Sequence, residues 1–176
     1  MEKTKITKFR WFWPWQDEVE ENWLEKMSQK GYHLSSVRLP CFYKFLVAEP
    51  RDYVYRTDYQ TFHKKDRQEY LQLFQDAGWE YIGELSTSQY FRKEAKQGET
   101  FEIFTDIESK IAKYKRILTY LGSFYLISIV AVGVPILTDV PYPWWGVIQV
   151  IIIFILLLFT YAIIRLVIRI RQLRKL

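Results

Sequence analysis

The chain has 176 residues, 18% of them aromatic, with 25 Lys/Arg against 20 Asp/Glu and a pI near 9.2. A basic balance points to nucleic acid, but its placement argues otherwise: residues 1–112 hold 17 Lys/Arg and 19 Asp/Glu, and the other eight cations flank two apolar runs. One cysteine, Cys41, permits no internal disulfide and suits a reducing compartment, and no apolar stretch follows Lys3, Lys5 and Lys8 to make a secretory signal.

In chain order, residues 5–13 read as a strand whose alternation puts Trp11 and Trp13 on one face and Phe12 on the other. The run Trp11-Phe12-Trp13-Pro14-Trp15 is hard to bury completely, so Trp11, Trp13 and Trp15 are candidate partner-binding residues. Asp17-x-x-Glu20 resembles a capping box opening a helix, with Val19, Trp23, Leu24 and Met27 at helical spacing. Asp17, Glu18, Glu20, Glu21 and Glu25 are expected on its solvated face. Gly31 suits the left-handed position that ends it. Two extended stretches follow, 32–38 and 42–48, with Cys41 a small core residue between them.

The pattern then recurs. A strand over 53–62 leads to Asp66-x-x-Glu69, an apolar stripe of Tyr70, Leu71, Phe74 and Ala77, then Gly78 and extended stretches 79–85 and 89–93. At a spacing of about 47 residues Trp23 matches Tyr70, Leu24 matches Leu71, Met27 matches Phe74, Gly31 matches Gly78 and Tyr43 matches Tyr90. After a slip of about one residue, Thr57-Asp58 matches Thr105-Asp106. A last strand is expected over 101–104. The fold class is therefore α+β: a tandem βαββ repeat, packed as a ferredoxin-like sandwich, over residues 1–105 (repeats about 5–50 and 53–105).

Thr105-x-x-Glu108 looks like a further cap, opening a linker helix over 106–116 that runs into an uncharged stretch, 117–137. Residues 138–143, with two prolines, form a turn, and 144–166 form a second apolar segment before a basic tail, 167–176. Each segment is long enough to cross a bilayer, and the run 150–159 of the second has no polar face. Lys and Arg lie only on the outer flanks, so the termini are expected in the cytoplasm and the turn outside. The expected localisation is the cell membrane, as a multi-pass protein in contact with lipid. Tyr114, Lys115, Arg116, Arg165 and Arg169 are candidate inner-interface residues; Tyr142, Trp144 and Trp145 are candidates for the outer one. Gly122, Ser123, Ser128 and Gly133 offer close helix approach. No charged residue lies within 117–137 or 145–164, which argues against an ion pathway built by this chain alone.

Catalytic signatures are missing: there is no P-loop, no dinucleotide turn, no H-E-x-x-H and no C-x-x-C. His33 and His63 read as packing or surface residues, and nothing beyond closeness in sequence joins Cys41 to His33. No catalytic, metal or cofactor-binding residue is expected.

Five runs together resemble a bacterial family called domain of unknown function 2812. They are Glu21-Asn22-Trp23-Leu24-Glu25-Lys26-Met27 through Gly31-Tyr32-His33-Leu34; Tyr53-Val54-Tyr55-Arg56-Thr57-Asp58-Tyr59; Tyr70-Leu71 with Asp76-Ala77-Gly78-Trp79-Glu80; Tyr90-Phe91-Arg92-Lys93; and Phe104-Thr105-Asp106-Ile107-Glu108-Ser109-Lys110. The resemblance implies a soluble domain followed by membrane helices. It also implies a link to regulation, because members are often encoded beside PadR-type transcription regulators, and it supplies no catalytic residues. The leading expectation is a non-enzymatic integral membrane protein whose cytoplasmic domain binds a protein partner, such as a transcription regulator. The alternatives are an accessory subunit of a transporter or envelope complex, and a small-ligand sensor.

Overall fold

The structure, a computed structural model, describes residues 4–60, 66–95, 107–138 and 144–175. It is α+β and divides into two compact units, 1–105 and 106–176.

In the first unit, β1 (Lys5–Phe9), β2 (Tyr32–Arg38) and β3 (Phe42–Val47) form sheet A, in the order β1-β3-β2 with both neighbours antiparallel. Helix α1 (Asp17–Ser28) connects β1 to β2. Sheet B has the same plan: β4 (Tyr53–Tyr59), β5 (Glu80–Leu85) and β6 (Ser88–Glu94), in the order β4-β6-β5, with α2 (Asp66–Asp76) joining β4 to β5. The expected last strand, 101–104, lies outside the described residues.

Both helices of this unit stop as the glycines require. Gly31 and Gly78 have φ of 82° and 81°, a conformation that side chains disfavour. These glycines also set the registers. Leu34 and Tyr81, each the third residue after its glycine, face Phe45 and Phe91, and both phenylalanines are fully buried. Tyr90 therefore stands where Lys44 stands in sheet A, not where Tyr43 stands, and that pairing of the sequence reading is corrected by one position.

Strand β1 is shorter than expected. Pro14 and Trp15 turn the chain, with Gln16 N–H donating to the Trp13 carbonyl at 2.8 Å and Trp13 N–H donating to Gln16 Oε1 at 3.0 Å. Gln16 is the residue before α1 and no side chain caps the helix, so the capping box assigned to Asp17 and Glu20 is not formed. The buried stripe of α1 is also rotated from expectation. Val19 is exposed, while Glu20, Glu21, Leu24, Met27 and Ser28 turn inward.

Leu24, Met27, Leu34, Val37, Tyr43, Phe45, Tyr55 and Tyr90 form one apolar cluster around α1. It draws on one face of sheet A and, through Tyr55 and Tyr90, on one face of sheet B. The other face of sheet B is covered by α2, whose Phe74 stacks on Phe91 at 4.2 Å with Tyr70 beside it.

In the second unit, α3 (Ile107–Thr138) is one unbroken helix, and α4 (Trp145–Leu173) runs past Arg165, Arg169 and Arg171. The two pack together, and Thr160 Oγ1 lies 3.3 Å from the Tyr125 hydroxyl across the pair. Both helices are long and apolar enough to cross a membrane, and only 6% of either apolar window is buried. A core helix of a water-soluble domain would be mostly buried. Ser123 is exposed and Ser128 half-buried, and they donate to the carbonyls of Thr119 and Phe124 in their own helix. A Cβ placed at Gly122 or Gly133 would meet open space. Neither glycine therefore sits at a close contact between α3 and α4.

Candidate functional site

Helix α1 brings three carboxylates to bear on sheet B. Glu20 Oε1 accepts from the Tyr43 and Tyr90 hydroxyls, each at 2.7 Å. Glu21 Oε1 accepts from the Thr57 N–H at 2.8 Å and the Thr57 hydroxyl at 2.9 Å. Glu25 Oε1 takes the Arg56 guanidinium at 2.9 Å and the Tyr55 N–H at 3.4 Å. The expectation of a solvated acidic face is thereby overturned. Burying a carboxylate is costly unless fixed donors replace water, and here phenols, backbone amides and an arginine do so. The overlooked signal was positional: Glu20 stands four residues before Leu24 and seven before Met27, on the apolar stripe itself.

The two phenols are changed by this setting. Burial, followed by the nearby Glu20 charge, pushes the Tyr43 and Tyr90 hydroxyls well above the ordinary tyrosine range. Burial and the same carboxylate also push up the Cys41 thiol, which makes it a poor nucleophile. His33 is held elsewhere: Nδ1 lies 3.0 Å from the Ser28 hydroxyl, and Nε2 lies 2.8 Å from the Glu49 carbonyl. Residue 63 lies outside the described residues. Among the described residues, no three metal-capable side chains come together.

The tryptophans form a surface feature. Phe12 turns inward against Trp23 and Tyr43. Trp13 stacks on Trp15 at 5.2 Å, with planes 5° apart, and meets Trp11 edge-on at 5.7 Å. Trp11 is 52% exposed. The alternation expected of a strand thus survives in a segment that is not one.

Clefts are lined by described residues of this unit. One, of about 510 Å³, is lined by Leu71, Gln75, Gly78, Trp79, Glu80 and Tyr81. Another, of about 250 Å³, is lined by His33, Leu46, Ala48, Arg51, Tyr53 and Arg92. In the latter, Arg92 is already engaged by both oxygens of Glu80, each at 2.7 Å, and lies over the Tyr53 ring.

Of the interface candidates, Lys115, Trp144 and Arg165 are exposed, while Arg116, Trp145 and Arg169 are half-buried. Tyr114 is fully buried. Tyr142 lies outside the described residues.

The family model described as "Protein of unknown function (DUF2812)" matches residues 16–126, from just before α1 into the first long helix. The chain belongs to the DUF2812 family. No curated protein and no solved structure matches it. Within this DUF2812 chain the matched stretch takes in the three carboxylates, their partners on sheet B and the start of the apolar helix pair.

Proposed function

We propose that the protein is a non-enzymatic, membrane-anchored module whose N-terminal unit binds a protein partner in membrane-linked regulation. The observation that carries this reading is the indole cluster. Three tryptophans gather on one surface, and a plugged phenylalanine and a backbone-to-Gln16 hydrogen bond pin the segment. Large, rigid aromatic side chains are the usual anchors of protein interfaces. The internal engagement of Glu20, Glu21 and His33 supports a non-catalytic reading, because each is committed to neighbours within the fold. The poorly buried α3 and α4 support anchoring as a multi-pass protein, with both termini on the cytoplasmic side by the charge rule. The identical strand orders of sheets A and B support a duplicated βαββ origin.

The test is affinity capture with the full-length protein in detergent, beside a Trp11→Ala/Trp13→Ala double variant. The expected result is recovery of a DNA-binding regulator that falls at least roughly tenfold in the variant, as for loss of an interface anchor. Recovery of no regulator, with transcription unchanged on deletion, overturns the reading. Recovery of a polytopic protein instead assigns the chain to an accessory subunit. A small-ligand sensor is favoured by one observation, the cleft beside Trp79 and Tyr81. An apolar fluorophore displaced on Trp79→Ala is its test.

A further inference from the structure

The strands of sheet A carry no acid. Residues 3–16 contain Lys3, Lys5, Lys8 and Arg10, residues 30–48 contain Lys30, Arg38 and Lys44, and neither stretch holds an Asp or Glu. An ordinary protein surface mixes charges of both signs.

The registers gather part of this charge on the face turned away from α1. Arg38, Phe42 and Phe9 pair across one row of that face, and Lys44 and Lys5 lie in the two rows beyond. The Phe9 and Phe42 rings meet at 5.3 Å and are 57% and 42% exposed. Helix α1 packs on the opposite face, where Trp23 meets Tyr43 and Phe45, and Tyr53 of β4 reaches only the far end, at His33. Among the described residues, the rings of Phe9 and Phe42 meet each other and no ring of another element. The corresponding face of sheet B is covered by α1 and β2.

We infer that this face of sheet A docks on an anionic membrane surface. Lysine and arginine beside exposed aromatic rings match the headgroup zone, where cations meet lipid phosphates and rings settle among the upper acyl carbons. Charge complementarity selects lipid: the face is cationic, and the same chain carries two helices suited to a bilayer, so the surface needs no affinity of its own to arrive there. The inference rests on the anchoring reading of α3 and α4.

The experiment is hydrogen exchange on the full-length protein in nanodiscs of phosphatidylcholine, with or without phosphatidylglycerol, following peptides from β1 and β3. Anionic lipid is expected to slow exchange there by about fivefold or more, the size of one cation's contribution. The slowing should be lost in Lys5→Glu/Lys44→Glu and kept in Lys26→Glu, a charge reversal on the exposed side of α1. Equal exchange in the two lipids overturns the inference alone, as does a slowing that Lys26→Glu abolishes as fully. Protection that appears only with an added polyanion such as RNA assigns the face to another class of partner and also overturns it. A chain that does not enter nanodiscs overturns the anchoring reading, and this inference with it.

Discussion

Sheets A and B share a strand order and differ in what lies on the face away from their own helix. In sheet B that face presents Tyr55, Thr57, Tyr90 and Arg92 to α1 and β2, where hydrogen bonds occupy all four. In sheet A the matching positions carry Lys5, Thr7, Lys44 and Leu46, exposed or half-buried, with the open Phe9–Phe42 pair one row beyond. The comparison teaches that one topology serves two ends. Where the second face meets another element, the sequence places hydroxyls that α1's carboxylates can use. Where the sheet A face stays open, at its Phe9–Phe42 end, the sequence places cations and open rings.

The largest effect is expected at Glu20, the acceptor that links the two sheets through Tyr43 and Tyr90. Glu20→Ala strands two buried phenols and is expected to cost about 3–5 kcal/mol, read from urea unfolding of the protein in micelles. A loss under about 1 kcal/mol, the worth of an ordinary hydrogen bond, would show that the carboxylate does not join the sheets.

The two glycines should separate next. A Cβ at Gly31 would collide with the Ala48 carbonyl oxygen, whereas at Gly78 it would meet only the flexible end of Lys93. Gly31→Ala is expected to cost about 3 kcal/mol, backbone strain plus collision, and Gly78→Ala about 1–2 kcal/mol from strain alone. Equal losses would mean that Ala48 yields.

Alkaline unfolding sharpens the contrast further. Tyr43 and Tyr90 hold their protons in the fold above the range in which unfolded tyrosines lose them. As pH rises past about 10, the unfolded chain binds fewer protons than the native one, so stability falls. Two such groups give a slope of up to about 2.7 kcal/mol per pH unit, with no contribution from them at neutral pH. Tyr43→Phe should flatten the slope by about half; an unchanged slope would place the titrating groups elsewhere.

The smallest effect is a matched pair. Tyr90→Phe removes one bond to a buried carboxylate and should cost about 2 kcal/mol. Lys44→Ala, at the corresponding place in sheet A, should stay within about 0.5 kcal/mol. A larger loss at Lys44 would mean that the sheet A face is covered in solution.

Much of the local structure was legible before the fold was known. Gly31 and Gly78 mark helix ends because few residues accept their backbone conformation, and the apolar runs of α3 and α4 need no partner to declare their length. The partners of Glu20 were not legible. Tyr90 is 70 positions away, and no local pattern distinguishes an acid that will meet two phenols from one that will meet water. The edge-facing roles of Glu21 and Glu25 escaped for the same reason. The placement of Tyr90 escaped because the β2–β3 turn holds three residues, 39–41, and the β5–β6 turn two, 86–87, so the spacing between the sheets falls by one residue across it.

The bonds from Glu21 and Glu25 also have a meaning for how the chain is made. β4 lies at the edge of sheet B, and the amides of Tyr55 and Thr57 that α1 receives lie on its outer side. A strand edge left bare while a polypeptide is still emerging invites pairing with a neighbouring chain. Here the residues that close the edge are synthesised about 30 positions ahead of the amides they accept. When β4 leaves the ribosome, its guard has already been made.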